Sequence, residues 1–149
     1  MATLTTTVTE SVTLNGATRG TTNTLTTTGI VDVFERILTC SHSQTTTIAI
    51  FESTPHSAAG ALDVENCKYI RVTNLSTTED MKLAIVTAAT NYQVTVRAGG
   101  SHILFQAEEG AEGETDTTPA FGTLEDIASV QVRPSGSADV QVEIFVGLV

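Results

Sequence analysis

Ser129 to Val146 reads "SVQVRPSGSADVQVEIFV", two runs of alternating apolar and polar residues split by Pro, Ser and Gly. Successive side chains of a strand point to opposite faces, so a period of two marks a strand with one buried face. Ala128, Val130 and Val132 face one way in a strand from Ile127 to Arg133. Val140, Val142, Ile144 and Val146 do the same in a second strand from Ala138 to Val146. "PSGS" joins the two with turn residues.

The same pattern recurs upstream. "NYQVTVRAGG" puts Tyr92, Val94, Val96 and Ala98 on one face and Gln93, Thr95 and Arg97 on the other, and Gly99-Gly100 turns it into "SHILFQA". "NCKYIRVTNL", the turn "STTED" and "MKLAIVTA" precede it, and "TTTIAIFES" (Thr45 to Ser53) is a further short strand, closed by Pro55 and "HSAAGA". In "IVDVFERILTC" (Ile30 to Cys40), Ile30, Val33, Phe34 and Ile37 have helical spacing. Its β-branched content and the Thr-rich surroundings favour a strand.

At the N-terminus, Leu4, Thr6, Val8, Glu10, Val12 and Leu14 alternate with a row that is all Thr or Ser from Thr3 to Thr13. Asn15-Gly16 then supplies a turn, since both residues tolerate positive φ. "TRGTTNTLTTTG" (Thr18 to Gly29) reads as a loop or weak edge strand, and "TLEDI" as a single helical turn with Thr123 as cap and Asp126 at its third position. The expected architecture is one all-β domain spanning 1–149, an antiparallel, jelly-roll-like β-sandwich of eight to nine strands, with 1–29 a Thr-rich N-terminal strand or arm and loop. A chain of 149 residues can bury roughly 68–70% of the surface its unfolded form exposes.

Composition narrows the functional classes. The formal net charge is −10, and the seven Lys and Arg are scattered singly, so no basic footprint exists for a phosphate backbone and no nucleic-acid partner is expected. "MATLTTTVTESVTLNG" has neither a basic n-region nor an apolar h-region, and no stretch reaches the roughly 18 apolar residues of a membrane span, so neither export nor a membrane partner is expected. Cys40 and Cys67 stand apart with no CxxC spacing and read first as two small buried thiols, second as one disulfide between strands.

Chemistry is sparse. His42, His56 and His102 each neighbour a serine, but no G-x-S-x-G elbow accompanies them, and no H-x-H or H-x₃-H pair offers a metal motif. The acidic loop from Glu108 to Asp116 lacks the D-x-D-x-D-G spacing of a calcium loop and reads as solvated. Gly99-Gly100 has no phosphate-binding context, "TTED" is a turn, and Asn74-Leu75-Ser76 is an accidental glycosylation match in a chain without an export signal. Aromatics are 5% of residues and Trp is absent, so an aromatic sugar platform is not evident. The reading is of a non-enzyme with no cofactor and no metal.

"KYIRVTNLSTTEDMKLAIVTAATNYQVTVRAGGSHILFQA" and the closing "TLEDIASVQVRPSGSADVQVEIFVGLV" resemble small β-sandwich virion proteins of tailed bacteriophages, especially marine and cyanophage-like ones. In those proteins a "YIRVTNLS"-type strand leads to a turn, a "Y-x-V-x-V-x-A-G-G-S" strand leads to a second, and an "I-x-S-V-x-V" plus "A-x-V-x-V-E-I-F-V" hairpin ends the chain. The likeness covers roughly Cys67 to Val149. It implies a structural role as a capsid decoration or cement protein, made in the host bacterial cytoplasm and located on the virion surface. Its implied partners are the major capsid protein and copies of itself, as a homotrimer. Leu4, Val8 and Val12 are the residues nominated for contact with a neighbouring subunit or the capsid. The alternative is a tail or receptor-binding, glycan-binding sandwich module.

Overall fold

The computed structural model describes residues 1–54, 59–105 and 124–149. Its regular structure is all strand: β1 (Ala2–Thr9), β2 (Val12–Leu14), β3 (Ala17–Arg19), β4 (Thr22–Ile30), β5 (Asp32–Cys40), β6 (Thr46–Glu52), β7 (Leu62–Asp63), β8 (Cys67–Asn74), β9 (Met81–Val86), β10 (Asn91–Val96), β11 (Ser101–Phe105), β12 (Ser129–Pro134) and β13 (Val140–Leu148). Thirteen strands exceed the eight or nine expected, and the surplus lies in the N-terminal thirty residues and in the two-residue β7.

Two sheets form the sandwich, one ordered β11-β8-β13-β5 and the other β10-β9-β12-β6-β7. Leaving β7 aside, eight strands build it. Along the chain the first pairs with the eighth (β5 with β13), the second with the seventh (β6 with β12), the third with the sixth (β8 with β11) and the fourth with the fifth (β9 with β10). All four pairings are antiparallel, and the sheets are completed by β8 against β13 and β9 against β12. This is one long hairpin rolled up on itself, the jelly-roll arrangement.

The alternation read from sequence fixes which faces meet. Val130 and Val132, Leu83 and Ile85, and Val142, Ile144 and Val146 are all at most 1% exposed and fill the space between the sheets with Ile70, Val72 and Met81. Burying each such side chain contributes about 1.5–3 kcal/mol. In β5 the inward residues are Phe34, Leu38 and Cys40, whereas Val33 and Ile37 face solvent. The apparent helical spacing there is a strand with apolar residues on both faces.

Two expectations need correction. β12 and β13 do not form a hairpin with each other: "PSGS" carries the chain across the core from one sheet to the other, because both apolar rows must line the same interior. Residues 124–128 are not helical, and Thr123, the expected cap, lies outside the described residues. Of the two readings of Thr18 to Gly29, the strand is the one that forms: the stretch supplies the last two residues of β3 and most of β4.

Those strands build a separate ribbon. β1 pairs with β4 from Ala2↔Ile30 to Thr9↔Thr22, and β2 pairs with β3 beyond a break at Glu10, whose N–H donates to Thr21 O at 2.9 Å. Asn15 (φ 52°) and Gly16 (φ 78°) close the tip as a two-residue hairpin turn with positive φ at both positions. Gly20 is required at the break: its φ is 128°, and a Cβ there would run into the Glu10 carbonyl.

Candidate interaction surfaces

One face of the ribbon is a ladder of threonines facing each other in register: Thr3↔Thr28, Thr5↔Thr26, Thr7↔Thr24 and Thr9↔Thr22. Hydroxyls touch across it in the Thr7–Thr24 (3.2 Å), Thr9–Thr22 (3.2 Å) and Thr13–Thr18 (3.3 Å) pairs. Cross-strand Thr pairs of this kind contribute roughly 0.2–1 kcal/mol each. The opposite face carries Leu4, Val8 and Leu25, all half-buried.

The ribbon is rooted in the sandwich around Gly147. A Cβ on Gly147 would lie 3.1 Å from Leu4 Cδ2, 3.7 Å from Tyr69 Cβ and 3.8 Å from Ile30 Cδ1, so the glycine leaves the room that Leu4 and Ile30 occupy against the outer face of the four-stranded sheet. Beneath them Tyr69 is buried and packs edge-on against Phe145, ring centroids 5.8 Å apart. Burial pushes the Tyr69 phenol above its usual range, with Arg71 opposing the shift.

Beyond the root, every residue from Thr9 to Thr24 is exposed. The three nominated residues therefore differ: Leu4 packs on its own sandwich, Val8 is half-buried on the same ribbon face, and Val12 stands at the tip at 57% exposure beside Leu14 at 58%. An isolated two-stranded ribbon is marginal in water. A second apolar strip was missed in the sequence: Val31, Val33 and Ile37 (62% exposed) lie outward on and just before β5, which is an edge strand of its sheet. On that outward face Val33 and Ile37 alternate with Glu35 and Thr39 along a nine-residue edge.

The titratable groups singled out from sequence are tied into the scaffold. His42 donates its backbone N–H to Asp139 Oδ1 (2.8 Å) and contacts the same oxygen through Nδ1 (2.9 Å), joining the β5–β6 turn to the β12–β13 connection. The backbone bond first, and then the side-chain bond, hold the Asp139 carboxyl below its ordinary value. His102 is bonded to Tyr92 Oη at 2.9 Å across the two sheets, and burial lowers its pKa, so the ring is neutral at pH 7. His56 and the loop from Glu108 to Asp116 lie outside the described residues.

Cys40 and Cys67 are both buried and are not bonded to each other. Cys40 is paired with Val140 and Cys67 with Leu148, opposite ends of β13, so about 26 Å of strand separates their levels and no bridge can form. Burial raises the Cys40 thiol, which makes it a poor nucleophile. Among the described residues no three His, Cys, Asp or Glu side chains gather around a common point, and no helix is long and apolar enough to cross a membrane.

Asn74 is fully buried and therefore closed to glycosylation. Its Nδ2 donates to Glu79 O (2.8 Å) and Val96 O (3.3 Å), and its Oδ1 accepts from Ser76 N (3.0 Å). It ties the turn after β8 to the end of β10. Comparison with family models, with curated proteins and with solved structures finds no match to this chain.

Proposed function

We propose that this chain is a non-enzymatic structural protein of a virion, a decoration or cement protein that docks on the head shell of a tailed phage and stabilises it, working as an oligomer, with the trimer as the expected state. The observation that carries the reading is the ribbon: thirty residues that bury almost nothing in their own sandwich and end in two exposed apolar side chains. Ordering such a segment costs about 1–2 kcal/mol per residue in backbone entropy, which a folded chain recovers by covering the segment. A neighbour on a lattice does so, and burying Val12 and Leu14 there contributes about 3 kcal/mol per copy. The outward apolar strip on β5 gives a second contact, and the jelly roll between them is a rigid spacer. The likeness of Cys67–Val149 to small phage virion sandwiches points the same way.

The test is to incubate the purified protein with undecorated heads and count the copies that co-sediment, alongside its mass in solution by light scattering. Saturable binding at a ratio fixed by the lattice, weakened by Val12→Asp with Leu14→Asp, is the expected result. Those positions are exposed, so the variants fold. A monomer that binds no capsid lattice overturns the proposal.

A further inference from the structure

The outer face of the five-stranded sheet holds a groove of about 710 Å³. Its floor is Ala84 and Val86 of β9 with Gln131 of β12. Lys82, Arg133, Gln93 and Asn91 rise around it, and Ser43, Thr45 and Pro134 to Gly136 complete the lining. Of the twelve Asp and Glu among the described residues, none lines this groove, yet two of the seven Lys and Arg do.

Those two are directly opposed. Arg133 pairs with Lys82 in the β12–β9 register, and both are exposed. Like charges in opposed positions repel, and neither has an ion-pair partner among the described residues. Glu79, whose carboxylate packs against Gly136 at the rim, is not within ion-pair reach of either. Beside the cations, Gln93 Nε2 donates to Asn91 Oδ1 (3.0 Å) and Gln131 Nε2 donates to Ser129 Oγ (3.3 Å), which holds the two glutamine side chains in place along the groove.

We infer that this groove binds an acidic saccharide, with a sugar carboxylate between Lys82 and Arg133 and the hydroxyls of neighbouring residues on Gln93, Asn91 and Gln131. The chemistry selects the occupant. A carboxylate removes the repulsion between the cations through charge-assisted hydrogen bonds. The amides of Asn91, Gln93 and Gln131 donate to and accept from sugar hydroxyls. A neutral saccharide has no aromatic platform here, since none of the lining residues is aromatic. An acidic peptide is served less well: the floor lies on β9 and β12, interior strands with both edges paired, and the lining has no deep apolar pocket for an anchor. The groove is remote in kind from the ribbon and the β5 strip, so the inference stands apart from the capsid proposal.

The test is calorimetry and amide-shift mapping of the full chain with tetragalacturonate and with 3′-sialyllactose, two sources of the same carboxylate chemistry, against maltotetraose and tetraglutamate. Binding of either acidic saccharide, with shifts on β9, β10 and β12 and a Kd that weakens with salt, is expected. Lys82→Gln and Arg133→Gln are each expected to weaken it about tenfold, the scale of one charge-assisted bond. Both positions are exposed, so the variants keep the fold, which is checked by a cooperative melt at a temperature no lower than that of the natural protein. Absence of binding to both acidic saccharides at millimolar concentration overturns the inference. So does equal binding of maltotetraose, equal or tighter binding of tetraglutamate, or indifference to both substitutions.

Discussion

Replacing Asn74 removes a connection that the sandwich has no means to replace. The side chain is 0% exposed and makes three hydrogen bonds to backbone groups of the turn after β8 and the end of β10. Asn74→Ala leaves the Glu79 and Val96 carbonyls and the Ser76 N–H without that partner in a site from which water is excluded. With about 1 kcal/mol for each bond, and somewhat less for the long contact to Val96, the loss is about 3 kcal/mol. For a domain of this size, where m in urea is about 2 kcal/mol/M, the midpoint of unfolding falls by about 1.5 M with m unchanged.

Asn74→Asp is the sharper perturbation. It keeps the shape but turns a two-proton donor into an acceptor aimed at two carbonyls. Burial and those carbonyls raise the pKa of the introduced carboxyl above its unfolded value, so the folded state takes up the proton more readily than the unfolded one. The deficit relative to the natural protein is therefore full at neutral pH and shrinks as pH falls through the raised pKa, where a protonated carboxyl can again donate one bond. Urea titrations of the three proteins between pH 4 and 8 measure this. An Asn74→Ala loss below about 1 kcal/mol, or an Asn74→Asp deficit that does not change with pH, would refute the reasoning.

Leu4→Asp removes the apolar side chain that seats the ribbon against Gly147 without touching the core between the sheets, so trypsin should cut at Arg19 in the ribbon severalfold faster while the melting temperature of the sandwich barely moves; a large fall in that temperature counts against the ribbon being a separate unit. Arg133→Gln relieves the repulsion with Lys82 and should stabilise the free protein by about 0.2–1 kcal/mol in urea, most at low salt. Stability should decline on acidification in two stages: first below about pH 6.5, as His102, whose folded pKa is lowered, must take a proton that the unfolded chain takes readily, and again below about pH 4.5, as Glu125 and Asp139, both held low by hydrogen bonds, are protonated. His102→Phe should remove the first stage, and a pH profile unchanged by that substitution would argue against it. Ile37→Lys should reduce any self-association seen by sedimentation, since the strip on β5 loses its largest exposed side chain.

Period-two alternation names the buried face of a strand and is silent on its partner. Hence Val130, Val132, Val142 and Ile144 were legible as core, while the pairing of β12 with β9 and β6, rather than with β13, was not. Thr22 to Thr28 stood between loop and weak edge strand for another reason. A ribbon whose face is threonine on both strands shows little apolar contrast along the sequence, and its regularity exists only once Thr24 meets Thr7. Leu4 and Val12 were read as equivalent because they share a face in the pattern, but proximity to Gly147 separates them. The groove was invisible for the same reason as the pairing: Lys82 and Arg133 lie on distant segments, and only the β9–β12 register sets them side by side.

The pairing of β5 with β13 also sets a timetable. β13 is the central strand between β5 and β8, and it leaves the ribosome after all the other sandwich strands. Until it arrives, the four-stranded sheet lacks its middle, and the inward rows of Phe34, Leu38, Ile70 and Val72 have nothing to join them. Contacts between positions so far apart in the chain are slow to form, on a scale of milliseconds to seconds. The ribbon needs only local contacts around Asn15-Gly16 and can zip within microseconds of emerging. A nascent chain of this protein thus can pair the strands of its arm early, while the seat of that arm at Gly147 waits, with the body, for β13 to enter.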